Sequence, residues 1–75
     1  MKIMIINGVN LNMLGIREPD IYGKTTYQDL VSYLSNEAQK LDIEVKIVQS
    51  NHEGVLVDYI QSCYFEKYDG IIINP

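Results

Sequence analysis

Arg17 and Tyr22 are the residues with the most chemical potential in this sequence. They lie five positions apart in a polar, glycine-punctuated stretch from Asn7 to Gly23, with Pro19 between them to help the chain turn back on itself. A phenol has a reference pKa of about 10, so ionising it at pH 7 costs about 4 kcal/mol, roughly 1.4 per unit. A guanidinium beside it favours the phenolate and recovers part of that cost. Such a pairing makes Tyr22 a general base and leaves Arg17 permanently charged to hold it. The competing reading pairs Arg17 with Glu18 or Asp20 in solvent and packs Tyr22 under the loop; on these two residues alone it is the favoured one. Asn10 and Asn12 can offer amide donors to an oxyanion or a bound water, while Leu11, Met13 and Leu14 fasten the loop to the core. Asparagine is equally an ordinary turn residue. The length of the stretch matters here, because loops beyond about 12–15 residues in compact domains usually bind or catalyse.

Other reactive types carry less. His52 is the single histidine, and with only Glu53 beside it the ligand count for a metal is not reached. Neighbours on a helix do not share a face, so a capping or packing role is expected for it. Gly8, Gly15 and Gly23 fit neither a dinucleotide fingerprint nor a Walker loop. Tyr59, Tyr64, Phe65 and Tyr68 read as core and rim rather than a base-stacking platform. Cys63 stands alone, which rules out a disulfide or a thiolate cluster within one chain and fits a cytoplasmic setting. A net charge of -4, with six basic residues scattered among ten acidic ones, argues against a nucleic-acid surface. No apolar run approaches the ~18–20 residues that cross a bilayer, and the opening Met-Lys-Ile-Met-Ile-Ile is cut short by Asn7-Gly8, too early for a signal peptide.

The elements that must position these groups follow from hydropathy. Ile3 to Ile6 is continuously apolar and short, which indicates a strand buried on both faces. Thr26 and Asp29 have capping-box spacing, and Tyr27, Leu30, Val31, Leu34, Ala38 and Leu41 recur at helical intervals. From Ile43 to Gln49 the pattern alternates, with Glu44 and Lys46 opposite Ile43, Val45 and Ile47, as in a strand with one wetter face. Ser50 and Glu53 repeat the capping-box spacing and open a second helix to about Phe65, with Leu56, Tyr59, Ile60 and Cys63 inward. Gly70 to Ile73 is a third, wholly apolar strand, ended by Asn74-Pro75.

The order βαβαβ predicts parallel strands joined by right-handed crossovers, an α/β fold of three αβα layers. Only the second strand alternates, so it belongs at an edge and the strand order is 2-1-3, as in flavodoxin-like sheets. Asn7, Gln49 and Asn74 then end the three strands on one side. Ligands of open parallel sheets bind there, next to the switch in chain order between strands one and three, so Asn74 and the long loop converge. At 75 residues, with 47% hydrophobic and 21% charged, the composition is that of a globular protein of thin stability.

Four segments in order carry a resemblance. Asn7-Gly-Val-Asn-Leu-Asn-Met-Leu-Gly15, Arg17-Glu-Pro-Asp-Ile-Tyr-Gly23, Gln49-Ser-Asn-His-Glu-Gly54 and Gly70-Ile-Ile-Ile-Asn-Pro75 resemble the successive motifs of type II 3-dehydroquinate dehydratases, in register from residue 1 to 75. Val9 departs from the pattern, standing where that family usually has proline; some loop rigidity is lost but no catalytic group. The resemblance implies the amino-terminal half of a flavodoxin-like subunit of five parallel strands, with residues 1–75 a single partial domain. It also implies trimers gathered into a dodecamer, a place in the shikimate pathway, and anti elimination of water from 3-dehydroquinate through an enolate, without metal or cofactor. Carried over by motif, Tyr22 takes the C2 proton, Arg17 lowers its pKa and steadies the transition state, Asn10 orients the water or enolate contact, and Asn74 binds substrate. On this basis the base reading of Arg17 and Tyr22 overtakes the solvent-pair reading.

The family's acid, a histidine, and two further substrate ligands lie beyond the strand that Pro75 ends, and His52 does not sit in the matching motif. Negligible dehydratase activity is therefore expected of these 75 residues alone, together with an apolar third-strand edge that favours association. Two other classes are weighed against this. A flavodoxin- or receiver-like binding module is disfavoured because Asn7-Gly8 replaces an acidic cluster and no Ser/Thr-rich phosphate loop follows. A non-catalytic fragment that caps intact subunits remains the other alternative.

Overall fold

Strand β1 (Lys2–Asn7) takes the middle of the sheet because its run Ile-Met-Ile-Ile has no face that tolerates water: Met4 is 0% and Ile6 1% exposed. Around it, in a computed structural model that describes residues 1–15 and 25–75, lie strands β2 (Glu44–Gln49) and β3 (Gly70–Asn74) and helices α1 (Tyr27–Lys40) and α2 (Glu53–Phe65). A short 3-10 turn spans Leu11–Met13. All pairings are parallel and the order is β2-β1-β3, as the alternation of the second strand predicts.

The two helices cover opposite faces. Met4, Ile6 and Val48 pack with Leu56, Tyr59, Cys63 and Tyr68 beneath α2. On the other face Ile47 lines a groove with Tyr27 and Val31 of α1. The layers are therefore α, β and α, which is what right-handed crossovers through both helices require.

Helix α1 begins as its sequence dictates. Thr26 Oγ1 accepts from the Asp29 amide at 3.1 Å and Asp29 Oδ2 accepts from the Thr26 amide at 3.0 Å, a reciprocal cap that satisfies two amides left free by the first turn. Its last apolar position differs from expectation. Leu41 is 67% exposed, because the helix ends at Lys40 and Leu41 is already the capping residue, leaving the stripe that Ala38 closes.

Helix α2 starts differently from the capping box that Ser50 and Glu53 suggest. His52, not Ser50, is the residue before the first turn, and its side chain makes no cap bond. Ser50 is buried and belongs to the end of β2: its amide donates to the Asn7 carbonyl at 3.1 Å, and its hydroxyl accepts from the His52 amide at 3.0 Å. The hydroxyl is engaged in a local turn two residues too early to cap the helix. Ile60, expected inward, is 39% exposed and lines a groove with Cys63, Tyr64 and Ile71. That groove is open because among the described residues nothing covers the outer side of β3, where Ile71, Ile72 and Ile73 are 39%, 56% and 50% exposed.

Cys63 lies on the covered side of α2, 4% exposed. Burial pushes its thiol pKa up, Glu66 adds to the rise, and Lys46 and Lys2 partly oppose it. A raised thiol pKa means less thiolate at any given pH, and burial hinders access, so alkylation of the folded chain at pH 8 is expected to be slower than in denaturant, the thiolate being the nucleophile. Mass-spectrometric timing of iodoacetamide labelling, with and without urea, checks this; equal rates would contradict it.

Candidate functional site

The strand ends deliver a row of three neutral amides. Asn7 is directly in register with Gln49 on one side and Asn74 on the other, so the carboxyl edge of the sheet presents Gln49, Asn7 and Asn74 side by side. Asn7 is 2% exposed, and its Nδ2 donates to the Tyr27 hydroxyl at 3.4 Å, tying the row to the first turn of α1. Amides of this kind donate and accept without charge, and those of Asn7 and Gln49 are engaged within the protein.

The loop that follows β1 leaves this row at once. Gly8 donates its amide to the Asn74 carbonyl at 2.8 Å, and a Cβ on Gly8 would stand 3.0 Å from the carbonyl carbon of Pro75, so the two strand ends meet through a position that only glycine fills comfortably. Asn10 follows in the left-handed region, φ 66° and ψ 1°, a conformation asparagine tolerates better than most residues. Leu11, Met13 and Leu14 are half-buried and settle the 3-10 turn against α1, as expected.

Gln49 and Asn51 hold this turn from the β2 side. Gln49 Nε2 donates to the Gly8 carbonyl at 3.2 Å, to Asn51 Oδ1 at 3.0 Å and, more distantly, to Asn12 Oδ1 at 3.4 Å. Asn51 Oδ1 also accepts from the Asn10 amide at 2.8 Å. Asn12 thus faces back toward β2, where Gln49 uses its oxygen. The sequence placed Gln49 at a strand end and gave Asn51 no role. Neutral amides follow no hydrophobic period, and the one available signal was three amide-bearing or turn residues within Gln49-Ser50-Asn51.

Arg17 and Tyr22, the expected base and its cation, lie outside the described residues. What the structure does place is the point where the stretch holding them leaves and returns. Gly15, at φ 76°, abuts Thr25: a Cβ there would collide with the Thr25 carbonyl oxygen and stand 2.7 Å from its carbon. Gly15 and Thr25 therefore meet tightly beside the start of α1, which Thr26 caps. Gly15→Ala is expected to cost about 1–2 kcal/mol for the left-handed backbone alone, plus the displacement of Thr25. Urea unfolding of the variant measures it; a loss under half that would mean the contact is not tight.

His52 takes the capping position of α2 and is exposed, its amide donating to the Ser50 hydroxyl. Among the described residues no group of three His, Cys, Asp or Glu side chains could hold a metal ion. No helix among them is long and apolar enough to cross a membrane.

Comparison with known proteins bears on the whole chain. The family model for dehydroquinase class II matches residues 1–75. The chain is 55% identical over 75 residues to the 3-dehydroquinate dehydratase of Clostridium perfringens, covering 100% of this chain and 52% of that protein. It is 55% identical over 74 residues to that of Caldicellulosiruptor bescii, covering 99% and 51%. The fold superposes on the crystal structure of a type II dehydroquinase from Butyrivibrio crossotus with a TM-score of 0.95 at 53% identity, covering 100% of this chain and 52% of that one. The chain spans about half the length of the curated relatives it matches.

Proposed function

The chain belongs to the class II dehydroquinase family, and from that premise we propose that residues 1–75 form the base-bearing half of a 3-dehydroquinate dehydratase subunit. The supporting observation is the junction at Gly8, where one hydrogen bond to the Asn74 carbonyl sets Asn74 beside the turn that carries Asn10. Asn10 and Asn74 thereby share the carboxyl end of the sheet, where the proposed base and its cation would act.

In the proposed reaction the Tyr22 phenolate removes the C2 proton of 3-dehydroquinate, and the electron pair moves onto the C3 carbonyl oxygen as an enolate. Arg17 holds the phenolate charge before transfer and the growing negative charge after it. Asn10 orients the water or enolate contact, and Asn74 binds substrate. Collapse of the enolate expels the C1 hydroxyl as water, giving 3-dehydroshikimate. The proton for that departure comes from an acid on polypeptide corresponding to the part of the relatives that this chain does not span, and His52 is not that acid. The wider reading places the subunit in the shikimate pathway in the cytoplasm, as trimers within a dodecamer.

The test joins residues 1–75 to the remaining half of the Clostridium perfringens relative and follows the ultraviolet absorption of the conjugated enone product from 3-dehydroquinate. Turnover that disappears without either half is expected. A joined, folded polypeptide that binds no 3-dehydroquinate and yields no enone would overturn the assignment.

A further inference from the structure

We propose that Gln49 and Asn51 are positioning residues: their side-chain amides form a two-member relay, tied to main chain at both ends, that fixes Gly8 to Asn10 at the mouth of the site. The Gly8 carbonyl can only accept, so the Gln49 atom facing it at 3.2 Å is the amino nitrogen. The Asn10 amide can only donate, so the Asn51 atom facing it at 2.8 Å is the carbonyl oxygen. With both orientations set from outside, nitrogen meets oxygen between the two side chains at 3.0 Å. Flipping either amide breaks its main-chain bond and places like against like in the middle. The relay therefore has one satisfied arrangement.

Its position makes it consequential. Gln49 ends β2 in register with Asn7, so the relay is founded on the sheet, while Asn10 is held away from the extended backbone of β1 at φ 66°. The amide of Asn10 has left the β ladder and is satisfied by Asn51 instead. Gly8 is bonded on its other side to Asn74. Thus β2 and β3 clamp the turn from both flanks, and the direction in which Asn10 leaves the sheet is set by a side chain that need not touch substrate. The effect on dehydration rests on the function proposed above; the effect on the turn does not.

The experiment measures backbone 15N relaxation in the 75-residue chain and in the joined polypeptide, for the unsubstituted protein, Asn51→Ala, Asn51→Asp and Gln49→Glu. In the unsubstituted protein Asn10 and Leu11 are expected near the rigid-backbone order parameter of about 0.85, falling below about 0.6 in Asn51→Ala while β1 is unchanged. Asn51→Asp keeps an oxygen for both donors and is expected to keep the order. Gln49→Glu sets a carboxylate against the Gly8 carbonyl and is expected to behave as Asn51→Ala. In the joined polypeptide Asn51→Ala is expected to lower kcat at least about tenfold, and Asn51→Asp to recover most of it, since misplacing an aligned group by about 1 Å costs up to about 10²-fold. Unchanged order in Asn51→Ala, or equal loss in Asn51→Asp, would overturn the relay. Should the unsubstituted joined polypeptide fold but not turn over, the dehydratase reading falls, and the relaxation data alone decide the relay. A variant that precipitates as the short chain is read in the joined form.

Discussion

Replacing Tyr22 by phenylalanine in the joined polypeptide is expected to lower kcat by about 10²–10⁴-fold, the usual contribution of a positioned general base, while KM changes little. Phenylalanine keeps the ring and removes only the oxygen that accepts the proton, so packing and binding are left in place. The companion change is Arg17→Met. A guanidinium near a phenol lowers its pKa, so removing it raises the pKa toward the reference value of about 10. The base is active when deprotonated, and activity is therefore lost as pH falls through that pKa. With the pKa raised, the acid limb of the kcat/KM profile moves to higher pH, and the deficit is largest near neutrality and narrows in alkali. Steady-state kinetics across pH check both results. A Tyr22→Phe variant within tenfold of the parent, or an unmoved limb in Arg17→Met, would remove these residues from the roles assigned.

Ile6→Ala is expected to be the most damaging apolar substitution, costing about 2–5 kcal/mol from lost burial and the void left behind. Ile6 is 1% exposed in the central strand and belongs to the cluster with Met4 and Cys63. A chain of this length has a total stability of order 4–11 kcal/mol at the usual value per residue, so the single change removes a large share of it. Ile72, the same residue type one strand away, is 56% exposed, and Ile72→Ala is expected to stay within about 0.5 kcal/mol. Urea titrations of the two variants make the comparison. Equal losses at both positions would mean that β3 is covered as thoroughly as β1.

The fold was legible where hydrophobic pattern alone decides. The unbroken run of β1 against the alternation of β2 was enough to order the strands, and Thr26 with Asp29 set the start of α1. The same spacing at Ser50 and Glu53 misled, because a serine at a strand end can satisfy its own turn before a helix begins. Leu41 and Ile60 were assigned inward by periodicity, which cannot tell that a helix ends one residue sooner or that the neighbouring layer is open. In the site, the strand-end positions of Asn7, Gln49 and Asn74 followed from parallel pairing. The bonds from Gln49 and Asn51 to the turn did not, since a side chain reaching 41 positions back along the chain leaves no mark in local sequence.

The central place of β1 also bears on how the chain assembles. Lys2 bonds to Asp69 across 67 positions, so β1 acquires its second neighbour only after both helices and β2 have been made. Its isoleucines wait through that interval with one flank unmatched, and closing so wide a span is slow. Pulse-labelled hydrogen exchange during refolding should find the β1 amides directed at β3 shielded no earlier than β3 itself, so that a central strand is among the late ones to close.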